Sequence, residues 1–172
     1  MGKFAGQSMR EMKKQTKNPK TLFLLVLALL GISQIQAQET NETTLKNMLA
    51  TKTFVFKPQS AWPLQGTVIQ LTPGFDMRLM GDSISTYLPY FGRAYQAGYT
   101  SNGNGISFNS SKFEYKLKEK SKGGWELVIK PSDTKDVTQL NFSISANGFA
   151  TLQVLSNSRQ AISFYGIVEK SK

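Results

Sequence analysis

Histidine and cysteine are both absent from this chain, so any chemistry must come from Asp, Glu, Tyr, Lys, Arg and Ser. Their absence removes the imidazole general base, the Ser-His-Asp and Cys-His nucleophile systems, and the ordinary zinc, copper and haem sites. Two carboxylate pairs stand close in sequence: Asp133 with Asp136, and Asp76 with Asp82 around a Gly81 turn. Paired carboxylates can run glycoside hydrolysis or hold calcium. The Asp-x-Asx-x-Asx-Gly calcium spacing is missing, however, and turn capping by short Asx side chains accounts for both pairs. No serine sits in a nucleophile elbow and no glycine loop has phosphate-binding spacing. The Ser-x-x-Lys spacing of Ser132 and Lys135 is background. No catalytic residue, metal ligand or cofactor follows from these residues, and an enzyme is not expected.

Binding residues are easier to nominate. The stretch from Tyr87 to Gly105 gathers Tyr90, Phe91, Arg93, Tyr95 and Tyr99 among Gly and polar residues, without sustained alternation. Tyrosines at a barrel mouth can stack on sugars or other rings while an arginine pairs with an anionic group. The competing reading makes the same aromatics a plug for one end of the core. A second cluster, Lys116, Lys118, Lys120 and Lys122, surrounds a hairpin tip at Gly123-Gly124. Those lysines could touch anionic headgroups or polysaccharide, but they also discourage edge-to-edge strand pairing, and Glu114, Glu119 and Glu126 dilute their field.

The elements that must position these residues begin after a leader. Lys13, Lys14, Lys17 and Lys20 precede an uncharged apolar run from Thr21 to Ile32, and Ser33-Gln34-Ile35-Gln36-Ala37 ends in a small residue. Residues 1–37 therefore read as a secretory signal peptide, with Met12 an alternative start and Gln38 the expected mature N-terminus. The run is shorter than the roughly 20 apolar residues of a membrane span, so no stable span is expected after cleavage. Six of the 21 basic residues and one of the 11 acidic ones lie in the leader, which leaves a mature net charge of about +5. The lysines are spread along the chain, and nucleic acid is not an expected partner. Without cysteine there is no lipobox, so the expected product is periplasmic or extracellular and not a lipoprotein, and its domain stands on its core alone.

Residues 38–51 form a short helical or flexible lead-in, with Leu45, Met48 and Leu49 at helical spacing and Thr43 or Thr44 in place as a cap. From residue 52 to 172 the apolar period becomes two. Phe113, Tyr115 and Leu117 alternate with charged residues, and Trp125, Leu127 and Ile129 stand against Glu126 and Lys130. Leu140, Phe142 and Ile144 precede Asn147-Gly148, the dipeptide of a type I′ hairpin turn, and Thr67 to Leu71 reads as a further short strand. The expected fold is all-β: one antiparallel meander sheet closing into a barrel or curved half-barrel, solvated on one face, with a short N-terminal helix.

Several segments are similar in order to one known family. These are Gly74-Phe75-Asp76, Gly81-Asp82-Ser83, Leu88-Pro89-Tyr90-Phe91-Gly92-Arg93-Ala94-Tyr95 and Gly123-Gly124-Trp125, then Asn147-Gly148-Phe149-Ala150-Thr151-Leu152-Gln153-Val154, and Asn157-Ser158-Arg159-Gln160 before Ile162-Ser163-Phe164. Across about residues 52–168 the chain resembles the exported domain-of-unknown-function family 4251 of Bacteroides-like Gram-negative bacteria. The resemblance implies export and a single small domain, and it carries no activity and no site residues. Asp82-Ser83-Ile84 also resembles the Asp-Ser/Thr-hydrophobic sequence that such bacteria O-glycosylate, which makes Ser83 a candidate acceptor. Three functional expectations stand: a non-catalytic domain binding a small apolar or sugar-like ligand or an envelope protein, an envelope assembly scaffold contacting through a sheet edge, and, least favoured, a carboxylate-dependent glycan hydrolase.

Overall fold

In this computed structural model, residues 41–93, 95 and 105–171 are described. The strands are β1 (Thr53–Pro63), β2 (Ile69–Gln70), β3 (Asp76–Met80), β4 (Ser83–Pro89), β5 (Gly105–Ser110), β6 (Phe113–Glu119), β7 (Trp125–Pro131), β8 (Val137–Ile144), β9 (Phe149–Ser156) and β10 (Ile162–Glu169). All belong to one antiparallel sheet in the order β5-β4-β3-β1-β10-β9-β8-β7-β6, with β2 beside β1. From β3 onward every connection joins paired neighbours except β5 to β6, which form the two ends of the sheet among the described residues, and the first strand β1 pairs with the last, β10. The result is a meander nearly closed into a barrel, the expected architecture.

Alternation explains why these residues make these strands. On β7 and β8, Trp125, Leu127, Ile129, Leu140, Phe142 and Ile144 point inward and are buried, while the residues between them are more exposed. Phe142 sets its ring edge-on to Phe54 and Phe56, at centroid distances of 6.1 and 5.4 Å, a favoured aromatic geometry. The interior is packed with such side chains.

A helix over residues 41–50, α1, buries Leu45 and Leu49 in this core, so the lead-in is part of the packed unit. Thr43 and Thr44 lie within it and not at its cap. Its C-terminal end is tied down twice. The Tyr115 hydroxyl donates to the Leu49 carbonyl at 2.7 Å, and Lys52 takes a left-handed φ of 54° just past the last turn.

Four local expectations needed correction. The strand expected over Thr67 to Leu71 shrinks to two residues, which pair only with Ser60 and Ala61. Leu88 continues the strand alternation of Ile84 and Thr86, and its neighbours Tyr87 and Pro89, expected in the irregular aromatic segment, are ladder residues of β4 as well. β5 was not anticipated. The Asn147-Gly148 turn is present but is not type I′, since only Gly148 takes a positive φ (87°). The Gly148 N–H donates to Ser145 O at 3.0 Å and the Ser145 N–H to Phe149 O at 2.9 Å. That is a three-residue loop whose third member is left-handed. The lysine hairpin repeats it, with Gly123 N–H on Lys120 O and Lys120 N–H on Gly124 O.

Candidate functional site

Past Pro89, the end of β4, residues 90–93 cross one end of the barrel to the turn between β9 and β10. Tyr90 makes the crossing. It is 9% exposed and joins the hydrophobic core, and its hydroxyl lies 2.9 Å from the Arg93 carbonyl and 3.0 Å from the Gln160 carbonyl, its single proton shared between them. Burial, first among the causes, raises the tyrosine pKa, which keeps that proton in place as a donor. Gly92 permits the approach, because a Cβ there would lie 2.4 Å from the Tyr90 hydroxyl. Backbone bonds add to the clamp: Tyr95 N–H to Ser158 O at 2.7 Å, and Gln160 N–H to Arg93 O at 3.0 Å.

Beneath this crossing lies a polar lattice. The Arg159 guanidinium packs over the Tyr90 ring, 5.1 Å from its centroid, pairs with Asp136 at 3.1 Å and donates to the Gly105 carbonyl at 2.8 Å. Both hydroxyls of Ser156 and Ser158 donate to Asp136 Oδ1. One arginine thus joins the start of β5, the β8 approach and the β9–β10 turn. A cation held on an aromatic face and on a carboxylate is fixed from two sides.

The candidate binding residues divide accordingly. Tyr90 is the plug. Phe91 is 40% and Tyr95 65% exposed, and Arg93 is exposed beside them. Tyr99 lies outside the described residues. The turn that carries Phe91 and Arg93 is anchored from below, while their side chains face water.

The carboxylates are engaged elsewhere. Asp133 accepts from the Ser110 hydroxyl and from the Ser111 and Lys112 backbone N–H groups at 2.9 and 3.2 Å, capping the turn that joins β5 to β6. The Ser110 bond, then the Ser111 bond, hold its pKa below the usual carboxylate range. Asp76 pairs with Arg78 at 2.7 Å, and Asp82 is almost fully exposed, 3.9 Å from Lys52. No group of three or more acidic side chains stands where it could hold a metal ion among the described residues. The lysine hairpin is partly neutralised, with Lys116 on Glu114 and Lys46 of α1 on Glu119, each at 3.2 Å. Ser83 opens β4 and is exposed.

The residues that sequence reasoning missed are Asp136, Arg159, Ser156 and Ser158 as one network. Their only advance signal was a lone arginine in the polar Asn157-Ser158-Arg159-Gln160 turn.

A family model described as "Domain of unknown function (DUF4251)" matches residues 36–168. A crystal structure of a DUF4251 family protein from Bacteroides eggerthii is similar over 76% of this chain and 88% of its own, with a TM-score of 0.56 and 10% sequence identity. The chain belongs to the DUF4251 family, as the similar segments implied, and the Bacteroides protein shares its fold. No curated protein matches.

Proposed function

We propose that this chain is an exported, non-catalytic binding domain of the cell envelope, which uses one end of its barrel to hold a ring-bearing, anionic ligand or an envelope protein. The observation that carries the reading is the contrast at that end: Phe91, Arg93 and Tyr95 face water on a turn locked by Tyr90, Arg159 and Asp136. Binding residues on a loop held by a rigid scaffold are a common arrangement. Two exposed rings offer stacking faces, and Arg93 offers a planar donor fork for a carboxylate or phosphate. The packed interior argues against a ligand inside the barrel. Export is supported by the leader pattern, four lysines, an uncharged apolar run and a small residue at Ala37. The hydrolase reading weakens, since Asp76, Asp133 and Asp136 are committed to structural partners.

A photo-crosslinking residue at position 91 or 95, expressed in the native host, tests the proposal. We expect an adduct that weakens on Arg93→Ala, while the same probe at Lys122 stays unmodified. The scaffolding reading keeps one specific observation, the outer edges of β5 and β6, which pair with no further strand among the described residues. A probe at Lys116 on β6 that crosslinks while 91 and 95 remain silent would favour it and overturn the barrel-end reading.

A further inference from the structure

The outer face of β8, β9, β10 and β1 carries a feature that the barrel-end reading does not use. Trp62 and Tyr165 are each 47% exposed on this face, and their rings lie 5.1 Å apart at 41°. Large exposed aromatic pairs on a monomer usually mark a contact surface. The pairing register places Trp62 opposite Ser163, Ser163 opposite Gln153, and Gln153 opposite Asn141, in one line across four strands. Tyr165 stands in the adjacent line, between Ser60 and Thr151. The alternate residues Ala61, Phe164, Leu152 and Phe142 are buried, which fixes the first line on the outside.

The amides of that line are already ordered. Gln139 Nε2 donates to Asn141 Oδ1 at 2.6 Å, and Asn141 Nδ2 donates to Gln153 Oε1 at 3.3 Å. The exposed Gln153 thus has its oxygen engaged from behind, which leaves its amide NH₂ as a presented donor. From Trp62 to Asn141 the line spans three strand spacings, about 14 Å, with no charged side chain in it. Lys120, 2.7 Å from Ser143 Oγ, marks the far edge of the face.

We infer that this face is a second binding site, specific for a neutral oligosaccharide. The Trp62–Tyr165 pair would stack on the apolar C–H face of a pyranose, and the Gln153–Asn141 amides and the Ser163 hydroxyl would bond its hydroxyls. The chemistry selects the ligand. Stacked aromatics beside neutral amides suit a ring with one apolar face and many hydroxyls, and the uncharged line gives an anionic polymer nothing to pair with.

The chain has two tryptophans, and Trp125 is 2% exposed. Ligand-dependent protection from acrylamide quenching therefore reports on Trp62. With the protein purified from its native host, maltohexaose, cellohexaose, xylohexaose and mannohexaose are titrated to millimolar concentration, with hexagalacturonate as the anionic control. At least one neutral hexamer is expected to protect Trp62 while hexagalacturonate does not. Tyr165→Ala should abolish protection, and Gln153→Ala should raise Kd about fivefold, the equivalent of one ordinary hydrogen bond. Phe91→Ala with Arg93→Ala should leave it unchanged, which separates this site from the barrel end. The inference is overturned if no neutral hexamer protects Trp62, if protection grows with protein concentration alone (a second copy then covers the face), or if it depends on Phe91 and Arg93 instead of Tyr165.

Discussion

Tyr90 and Tyr95 lie five residues apart and do opposite things, and the difference rests on hydrogen-bond partners. The buried hydroxyl of Tyr90 is satisfied by two carbonyls from separate parts of the chain, Arg93 and Gln160. Tyr90→Phe leaves the ring packed and strips those carbonyls of their donor, so a loss of about 1–2 kcal/mol is expected by denaturant unfolding. Asp133 allows a pH test. Its folded-state pKa is depressed by the Ser110 and Ser111 bonds, so its contribution is fully present above the unfolded value of ~3.9 and is lost as pH falls through the lower folded value. The unfolding midpoint should therefore drop more steeply below about pH 4 in the wild type than in Asp133→Asn. Equal acid slopes would show that the Asp133 cap does not matter. Neither role is legible in the local sequence: Asp133 is expected to cap its own turn, but its partners Ser110, Ser111 and Lys112 lie 21 to 23 residues away, and Tyr90 and Gln160 are 70 apart. Local pattern carries no information at that range.

At the scale of elements, legibility followed the strength of alternation. β6, β7 and β8 announce themselves through aromatic and aliphatic residues at every second position. β5 offers only Ile106 and Phe108 among Gly, Ser and Asn, and becomes a strand because β4 supplies a partner along its whole length. The hairpin after β8 shows the same limit: Asn147-Gly148 located the turn, and the hydrogen-bond closure, not the dipeptide, chose its type. Gly148→Val tests that closure. At a φ of 87° a β-branched residue is strained wherever its side chain points, at a cost of about 1–3 kcal/mol. An unchanged melting temperature would mean that the loop re-forms differently.

For the whole molecule, the question is how an almost closed sheet handles its ends. One open side falls between β5 and β6, where Asp133 caps the connecting turn and α1 is tied to β6 through Tyr115. One mouth is crossed by residues 90–93, clamped to the β9–β10 turn. Both proposed binding surfaces, the barrel-end aromatics and the Trp62 face, lie on its exterior. The exported reading predicts a defined N-terminus. Protein recovered from the native envelope should begin at Gln38 without lipid, and the same mass spectrum would reveal a glycan on Ser83. An intact segment through residues 20–37 would sink the export reading.

Thermal unfolding of two variants tests the central contrast at the barrel end most directly. Arg93→Ala combined with Tyr95→Ala removes only exposed side chains and should stay within about 0.5 kcal/mol of the wild type. Tyr90→Ala removes the plug and should cost about 3 kcal/mol or more, as large core truncations do. That result would leave Arg93 and Tyr95 free for binding on a rigid base. A large loss of stability in the double variant would contradict the account, because those side chains would then be holding the barrel shut.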